Sequence, residues 1–436
     1  MRPAAQLQAT IELLDKIDET QYPADRTMAQ YFKQRRYIGS KDKATISEQF
    51  YTILRNRLSF EYLLERAGLG IHSRMLGAAL MKVEGESDVS RFFDGDRYSP
   101  TPLREEQITA FDDFDTDLSD APIHVRLNVP EWILESLQTA LGDRFEEEMH
   151  ATNQRASTDV RINTLKSNMG QLSHILKTVG YTFEPSGLSP WGIRFDGRVA
   201  LFGLDAFRQG WFEVQDEGSQ LLALLSGVKA GDKVVDFCAG AGGKTLAMAA
   251  MMKNKGTIYA CDVHSKRLEN LTKRTKRAGV HNVRSHVLSS ENDKWVKKHK
   301  QLADVVLIDA PCTGTGTWRR SPDSRWNLTQ ENVDSLVELQ QSILQSAKRL
   351  VKPGGRLVYA TCSLLEEENE QQVAAFLADN DEFEALEIEL PESLEANKDK
   401  VQHSGNQLRT FPALSETDGF FVALLKRKEL EPEAAE

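Results

Sequence analysis

Cysteine is scarce in this chain: Cys238, Cys261, Cys312 and Cys362 are the four in 436 residues. So low a count excludes a disulfide-stapled scaffold and fits a reducing compartment, so a cytoplasmic location is expected. No pair has C-x-x-C spacing, and His264, His281 and His286 form no ligand pattern with the thiols, so no metal is expected. Long apolar runs are missing as well. Nothing approaches the ~18 consecutive apolar residues that span a bilayer, and the opening MRPAAQLQATIELLDKIDET lacks the apolar core of a signal peptide, so no membrane partner is expected. Excess positive charge is also absent: 54 Lys and Arg face 65 Asp and Glu, a net charge of -11 that by itself disfavours nucleic acid as a partner. There is no internal repeat or low-complexity tract.

What is present is enough chain for two or three domains. Residues 1–125 read as an all-α domain, because AAQLQATIELLDKI, TMAQYFKQRRYI, ISEQFYTILRNRLSFEYLLERAG and MLGAALMKV place apolar residues at three- and four-residue spacing. Its last part, the acidic EEQITAFDDFDTDLSDAP, reads as an exposed connection. Residues 126–215 read as a helical linker (PEWILESLQTALGDRFEEEMHATNQ) and a small α/β module, with strands at RINTL, YTFEP and IRFDG around a helix from Gly170 to Val179. Residues 216–428 alternate strand and helix, with apolar β-rich runs at 233–238, 257–263, 304–310 and 356–362, ahead of an acidic tail at 429–436. Such alternation implies a doubly wound, Rossmann-like parallel sheet, whose functional crevice lies beyond the carboxyl ends of the strands. Cys238, Cys312 and Cys362 all fall at or just past those ends.

After the first of these strands comes DFCAGAGGKT (236–245). Gly240, Gly242 and Gly243 permit positive φ and a close backbone approach, and the following helix offers unpaired N–H groups, a place for a nucleotide-like ligand. It is not a P-loop, which needs glycine where Cys238 stands, nor a dinucleotide fingerprint, which needs glycine at Thr245. A plain tight turn stays open. Asp262, at the end of the second strand, can accept both ribose hydroxyls of a bound adenosine.

Asp309-Ala-Pro-Cys312 follows the strand VVLI, and Thr361-Cys362-Ser363 follows RLVYA. A lone cysteine in a strand is usually an inert small hydrophobe. Two thiols at matching strand ends suggest covalent catalysis: a thiolate added at C6 of a cytosine makes C5 nucleophilic towards a methyl sulfonium. A thiol with an ordinary pKa of about 8.5 is only slightly ionised at neutral pH, and Lys244 supplies a nearby cation.

The set DFCAGAGGKT, DAPCTGTGTWRRSPDSRW, KPGGRLVYATCSLLEEENE and DGFF resembles the RNA cytosine-C5 methyltransferase family of the Sun/Nop type, in particular the small-subunit ribosomal RNA methyltransferase B group. The likeness runs from about Arg161 to Lys426 and includes RIN (161–163) and GWFEVQDEGSQ (210–220). The helical N-terminus is similar, more loosely, to the NusB-type RNA-binding domain. The resemblance implies a class I methyltransferase domain that uses S-adenosylmethionine to methylate C5 of a cytidine in structured RNA, ribosomal RNA before transfer RNA, as a monomer. It implies Cys362 as nucleophile on C6, Cys312 as aid to breakdown of the adduct, Asp309 on the cytosine edge and Lys244 reaching the base or the active thiol. Cys238, Ala239, Gly240, Ala241, Gly242, Gly243, Lys244, Asp262 and Asp309 would hold the cofactor. DNA enzymes of related chemistry use the Pro-Cys thiol and lack a Thr-Cys-Ser partner, so both together point to RNA. A transfer-RNA methyltransferase and a non-catalytic ribosome-assembly factor are the alternatives. Two departures stand out: Ala241 replaces a frequent proline, and no acid is obvious where the family contacts adenine, with Ser289, Ser290, Glu291 and Asp293 nearby.

The charge is unevenly distributed. Residues 265–352 hold 17 Lys and Arg against 9 Asp and Glu, whereas residues 366–436 hold 6 against 19. The basic clusters KRTKR (273–277) and KWVKKHK (294–300) flank the strand ends and read equally as a solvated face, whereas the loop WRRSPDSRW, with Arg319, Arg320 and Arg325 beside Trp318 and Trp326, is expected to grip RNA phosphates near an unstacked base.

Overall fold

The computed structural model describes residues 1–20, 22–197 and 199–429. The chain folds as two compact units, and neither is continuous in sequence: one is Met1–Gln154 with Trp318–Leu328, the other Arg155–Thr317 with Thr329 onward.

The first unit is helical, as its periodicity predicts. Helices Pro3–Thr20, Ala24–Gln34, Ser40–Arg55, Arg57–Arg66 and Ser73–Val83 each turn an apolar stripe inward, and Leu7, Leu14, Ile46, Phe50, Leu64 and Leu80 meet in one core. Each such side chain contributes about 1.5–3 kcal/mol when fully buried. The acidic stretch expected to be an exposed connection is instead part of this core: Glu105–Asp112 is a helix, and Phe111 and Phe114 are buried. Its carboxylates face water while its aromatic residues pack, a division that net charge alone conceals. The helices Leu134–Leu141 and Phe145–Thr152 also belong to this unit, whose first segment runs to Gln154, past the boundary expected at 125/126.

The second unit holds two sheets. The smaller has strands β1 (Thr158–Ile162), β2 (Glu184–Pro185), β3 (Gly192–Phe195) and β4 (Phe212–Val214) in the order β2-β3-β1-β4, all antiparallel, with helix Met169–Thr178 packed against it. The larger comprises β5 (Lys233–Asp236), β6 (Thr257–Asp262), β7 (Val283–Val287), β8 (Ala303–Asp309), β9 (Val351–Thr361), β10 (Phe383–Ala385), β11 (Gln402–Ser404), β12 (Gln407–Thr410) and β13 (Phe420–Arg427). Their order is β11-β12-β13-β9-β8-β5-β6-β7, with β10 on β13. Strands β5 to β9 are mutually parallel and β13 runs antiparallel to β9. Parallel strands covered on both faces become continuous apolar runs, which is why Val234–Val235 and Val305–Ile308 are fully buried. The edge strand β7 was not legible because most of its side chains are exposed or half-exposed. The chain leaves β5 for β6 and β7 on one side, then crosses to β8 on the other. That reversal beside β5 opens the crevice at the strand ends. Of the acidic tail expected at 429–436, residues 430–436 lie outside the described residues.

Candidate active site

A cavity of about 550 Å³ opens at the carboxyl ends of β5, β6, β8 and β9, large enough for a nucleoside-sized ligand. Its wall includes Cys238, Ala239, Gly240, Ala241, Gly243, Lys244, Asp262, Asp309, Cys312 and Cys362. One concave surface thus gathers side chains that are more than 120 residues apart in sequence. Gly242 is the exception among the residues expected to bind cofactor. Its φ is 84°, and a Cβ there would lie 2.0 Å from Leu271 Cδ1, so this glycine permits the turn and the packing of helix Ser265–Ala278 and does not line the cavity.

The turn after β5 is set by two carboxylates. Asp262 accepts the Gly240 amide through Oδ2 (2.8 Å) and the His264 amide through Oδ1 (2.7 Å), which aims the carboxylate and leaves each oxygen a second lone pair. Asp236 is fully buried in the cavity wall; its Oδ2 accepts the Thr245 hydroxyl at 2.6 Å, while Oδ1 has no protein partner. Burial, above all, pushes the Asp236 carboxyl up to about 7. An unpartnered buried acceptor in a wall beside an open glycine turn fits a polar ligand that completes the set. Sequence reasoning gave Asp236 no role; its signal was an acid at the end of an otherwise apolar strand.

Lys244 and Asp309 form a pair at 2.6 Å. Burial pulls the Lys244 ammonium down, but the Asp309 carboxylate, with the Cys362 sulfur also contributing, holds it above its ordinary value, so it stays charged. The Cys312 and Cys362 sulfurs are 3.4 Å apart, close enough for an S–H···S contact, and both are free thiols. The hydrogen bond with Cys362, then burial and the nearby Glu368 carboxylate, push the Cys312 thiol well above its usual range, so Cys312 keeps its proton at neutral pH. Cys238 also lines the cavity; burial raises its thiol too, which suits a packing contact more than a nucleophile.

Of the residues after β7, Glu291 lines the cavity, whereas Ser289 and Asp293 do not. Asp293 caps helix Lys294–Lys298 through the Trp295 amide (2.7 Å) and accepts the Ser289 hydroxyl (2.6 Å), so both are committed locally. Glu291 lines the cavity, oriented by the Ser342 hydroxyl at 2.9 Å.

The basic loop expected to grip RNA is built otherwise. Trp318 and Arg325 are fully buried, and Arg319 is 6% exposed. Arg325 donates through Nη1 to the Asn128 carbonyl and Asn153 Oδ1 (2.7 Å each) and through Nη2 to the Thr152 hydroxyl at 3.1 Å. The guanidinium also stacks on Trp318 (4.6 Å), and Trp326 donates its indole N–H to the Leu54 carbonyl at 2.7 Å. These residues are part of the helical unit's interior, which corrects the expectation that Arg319 and Arg325 reach phosphates and that Trp318 offers a stacking face; Arg320 is half-buried. In KRTKR, Arg274 and Arg277 pair with the buried Glu213 (3.0 and 2.6 Å), so they too are tied to the protein. Among the described residues no group of three or more metal-ligating side chains is found, and no helix is long and apolar enough to cross a membrane.

Comparison with known proteins follows from this geometry. A family model described as "16S rRNA methyltransferase RsmB/F" matches residues 223–426, and one described as "Methyltr_RsmF/B-like, ferredoxin-like domain" matches residues 129–201. The chain is similar to the probable ribosomal RNA small subunit methyltransferase B of Synechocystis, 29% identical over 90% of this chain and 93% of the relative. It is also similar to the ribosomal RNA small subunit methyltransferase B of Photorhabdus laumondii, 31% identical over 69% and 66%. Among solved structures, the crystal structure of PH0851 matches with a TM-score of 0.78 and 28% identity, over 98% of this chain and 99% of that one.

Proposed function

The chain belongs to the 16S rRNA methyltransferase RsmB/F family, and we propose that it transfers a methyl group from S-adenosylmethionine to C5 of a cytidine in structured RNA, through a covalent bond between Cys362 and C6. Ribosomal RNA is the favoured substrate, on the names its relatives carry. The observation that carries the reading is the pair of thiols 3.4 Å apart in one cavity with a charged Lys244–Asp309 pair and a glycine turn.

Each group then has a task. Gly240, Ala241, Gly243 and the Asp262 carboxylate hold the cofactor's nucleoside part, with Glu291 on its adenine side and the unpartnered Asp236 oxygen completing the wall. When bound, S-adenosylmethionine supplies the methyl group as an electrophile on sulfur. Asp309, held by Lys244, hydrogen-bonds the cytosine edge. The Cys362 thiolate adds to C6, and the displaced electron pair makes C5 the nucleophile. After C5 is methylated its proton must leave. Cys312, close to the Cys362 sulfur and still protonated, gives its own proton to Cys362 as the C6–S bond breaks, and in the same step its sulfur takes the C5 proton, whose bonding pair re-forms the C5=C6 bond.

The test separates the two thiols. Cys362→Ala should lower methyl transfer by at least ~10³-fold, with cofactor binding retained; Cys312→Ala should accumulate a denaturation-resistant RNA–protein adduct. Full activity in Cys362→Ala would overturn the mechanism. Bisulfite sequencing of ribosomal and transfer RNA from a deletion strain distinguishes the substrates by which cytidine loses protection.

A further inference from the structure

Both cysteine-bearing loops are fastened to a single dipeptide. Glu368, fully buried, accepts the Thr313 amide (2.9 Å) and the Gln340 side-chain amide (2.9 Å) on Oε1, and the Thr313 hydroxyl (2.5 Å) on Oε2. Gln340 Nε2 also donates to the Pro311 carbonyl at 3.0 Å, so both chain neighbours of Cys312 are held. Asn369, equally buried, does the same for Cys362. Its Oδ1 accepts the Thr361 hydroxyl (2.5 Å) and its Nδ2 donates to the Ser363 carbonyl (2.9 Å), one residue on each side of the thiol. The dipeptide is itself pinned, because the Tyr359 hydroxyl donates to the Glu368 carbonyl at 2.7 Å.

We propose that Glu368 and Asn369 are positioning residues that set the separation of the two thiols, Glu368 holding the Cys312 loop and Asn369 the Cys362 loop. Neither side chain lines the cavity, so each acts through the loop it binds. Satisfied buried hydrogen bonds of this kind fix a loop because every alternative leaves an unpaired polar group behind. Adjacent residues on one backbone cannot drift apart, so two loops from different strands inherit a common reference point. Loosening one arm moves one thiol and leaves the other in place. The assignment of separate tasks to the thiols rests on the covalent mechanism above; the geometric role does not.

Two readouts keep these apart. The first is cross-linking of Cys312 to Cys362 by diamide, which takes two electrons from the thiols to form the disulfide and is reduced to its hydrazine; peptide mass spectrometry measures the rate. Glu368→Gln and Asn369→Ala should each slow it at least ~10-fold, since a misplacement near 1 Å costs up to ~10²-fold in a proximity-dependent reaction. Thr313→Val and Thr361→Val remove one hydroxyl from each arm at constant volume and should slow it less, which covers the case of a larger substitution that misfolds. The second readout is the RNA adduct. The Glu368 arm should accumulate adduct, as Cys312→Ala does, whereas the Asn369 arm should form it at least ~10-fold more slowly, with cofactor affinity unchanged in both. Slowed cross-linking in Glu368→Gln, with no adduct from either Glu368→Gln or Cys312→Ala, would support the positioning role and overturn the covalent mechanism. Wild-type cross-linking rates in both Glu368→Gln and Asn369→Ala would overturn the positioning role.

Discussion

Residues 309–317 and 318–328 are consecutive parts of one motif, yet the chain uses them in opposite ways. The first part carries Asp309 and Cys312 to a cavity wall, where polar groups remain available to a ligand. The second part places Trp318, Asp323 and Arg325 in the interior of the helical unit, where Asp323 accepts the Ala24 amide at 2.9 Å and Arg325 serves three acceptors. Continuity of a motif therefore does not imply continuity of task. An arginine close in sequence to a strand-end cysteine reads as a phosphate ligand until its guanidinium is seen to be enclosed.

The contrast is sharpest in stability. Arg325→Ala should lower unfolding free energy by about 2–4 kcal/mol, because it leaves the Asn128 carbonyl and the Thr152 and Asn153 side chains short of donors. Urea unfolding would measure it, and an unchanged midpoint with weakened RNA binding would restore Arg325 as an RNA contact. Asp309→Ala should act more moderately on stability, about 1–3 kcal/mol, by leaving the Lys244 ammonium buried without its partner, while methyl transfer is lost. A smaller effect is expected at Asp236. Its carboxyl is raised by burial from 3.8 to about 7, so its contribution to stability is present below about pH 4 and is lost as pH rises through 7. Asp236→Asn should flatten the pH dependence of the unfolding midpoint between those values and make the protein relatively more stable on the alkaline side.

The parts of the fold legible in the sequence were those set by near neighbours. Four buried parallel strands, the glycine turn and the thiols at strand ends follow from short runs of residues, and the cavity gathered them as the strand-end rule requires. What escaped depends on distant partners. Arg325 is buried because Asn128, almost 200 positions earlier, presents a carbonyl to it. Phe111 and Phe114 pull an acidic segment into a core that its charge seemed to refuse. Glu291 was separable from Asp293 only once Ser289 was seen to occupy the latter. Glu368 and Asn369 sat in plain view within EEENE, but nothing local to that string says that it binds two loops.

The split membership of the helical unit also bears on how the protein is made. Its interior needs Trp318 and Arg325, which the ribosome delivers long after residue 154 has emerged. The apolar core from Leu7 to Phe114 closes without them, but the Leu54 and Asn128 carbonyls and the Thr152 and Asn153 side chains wait for their donors while the small sheet and most of the parallel sheet are produced. The last piece of the first unit is thus translated within the second, so a nascent chain stalled before residue 318 would carry these acceptors unpaired.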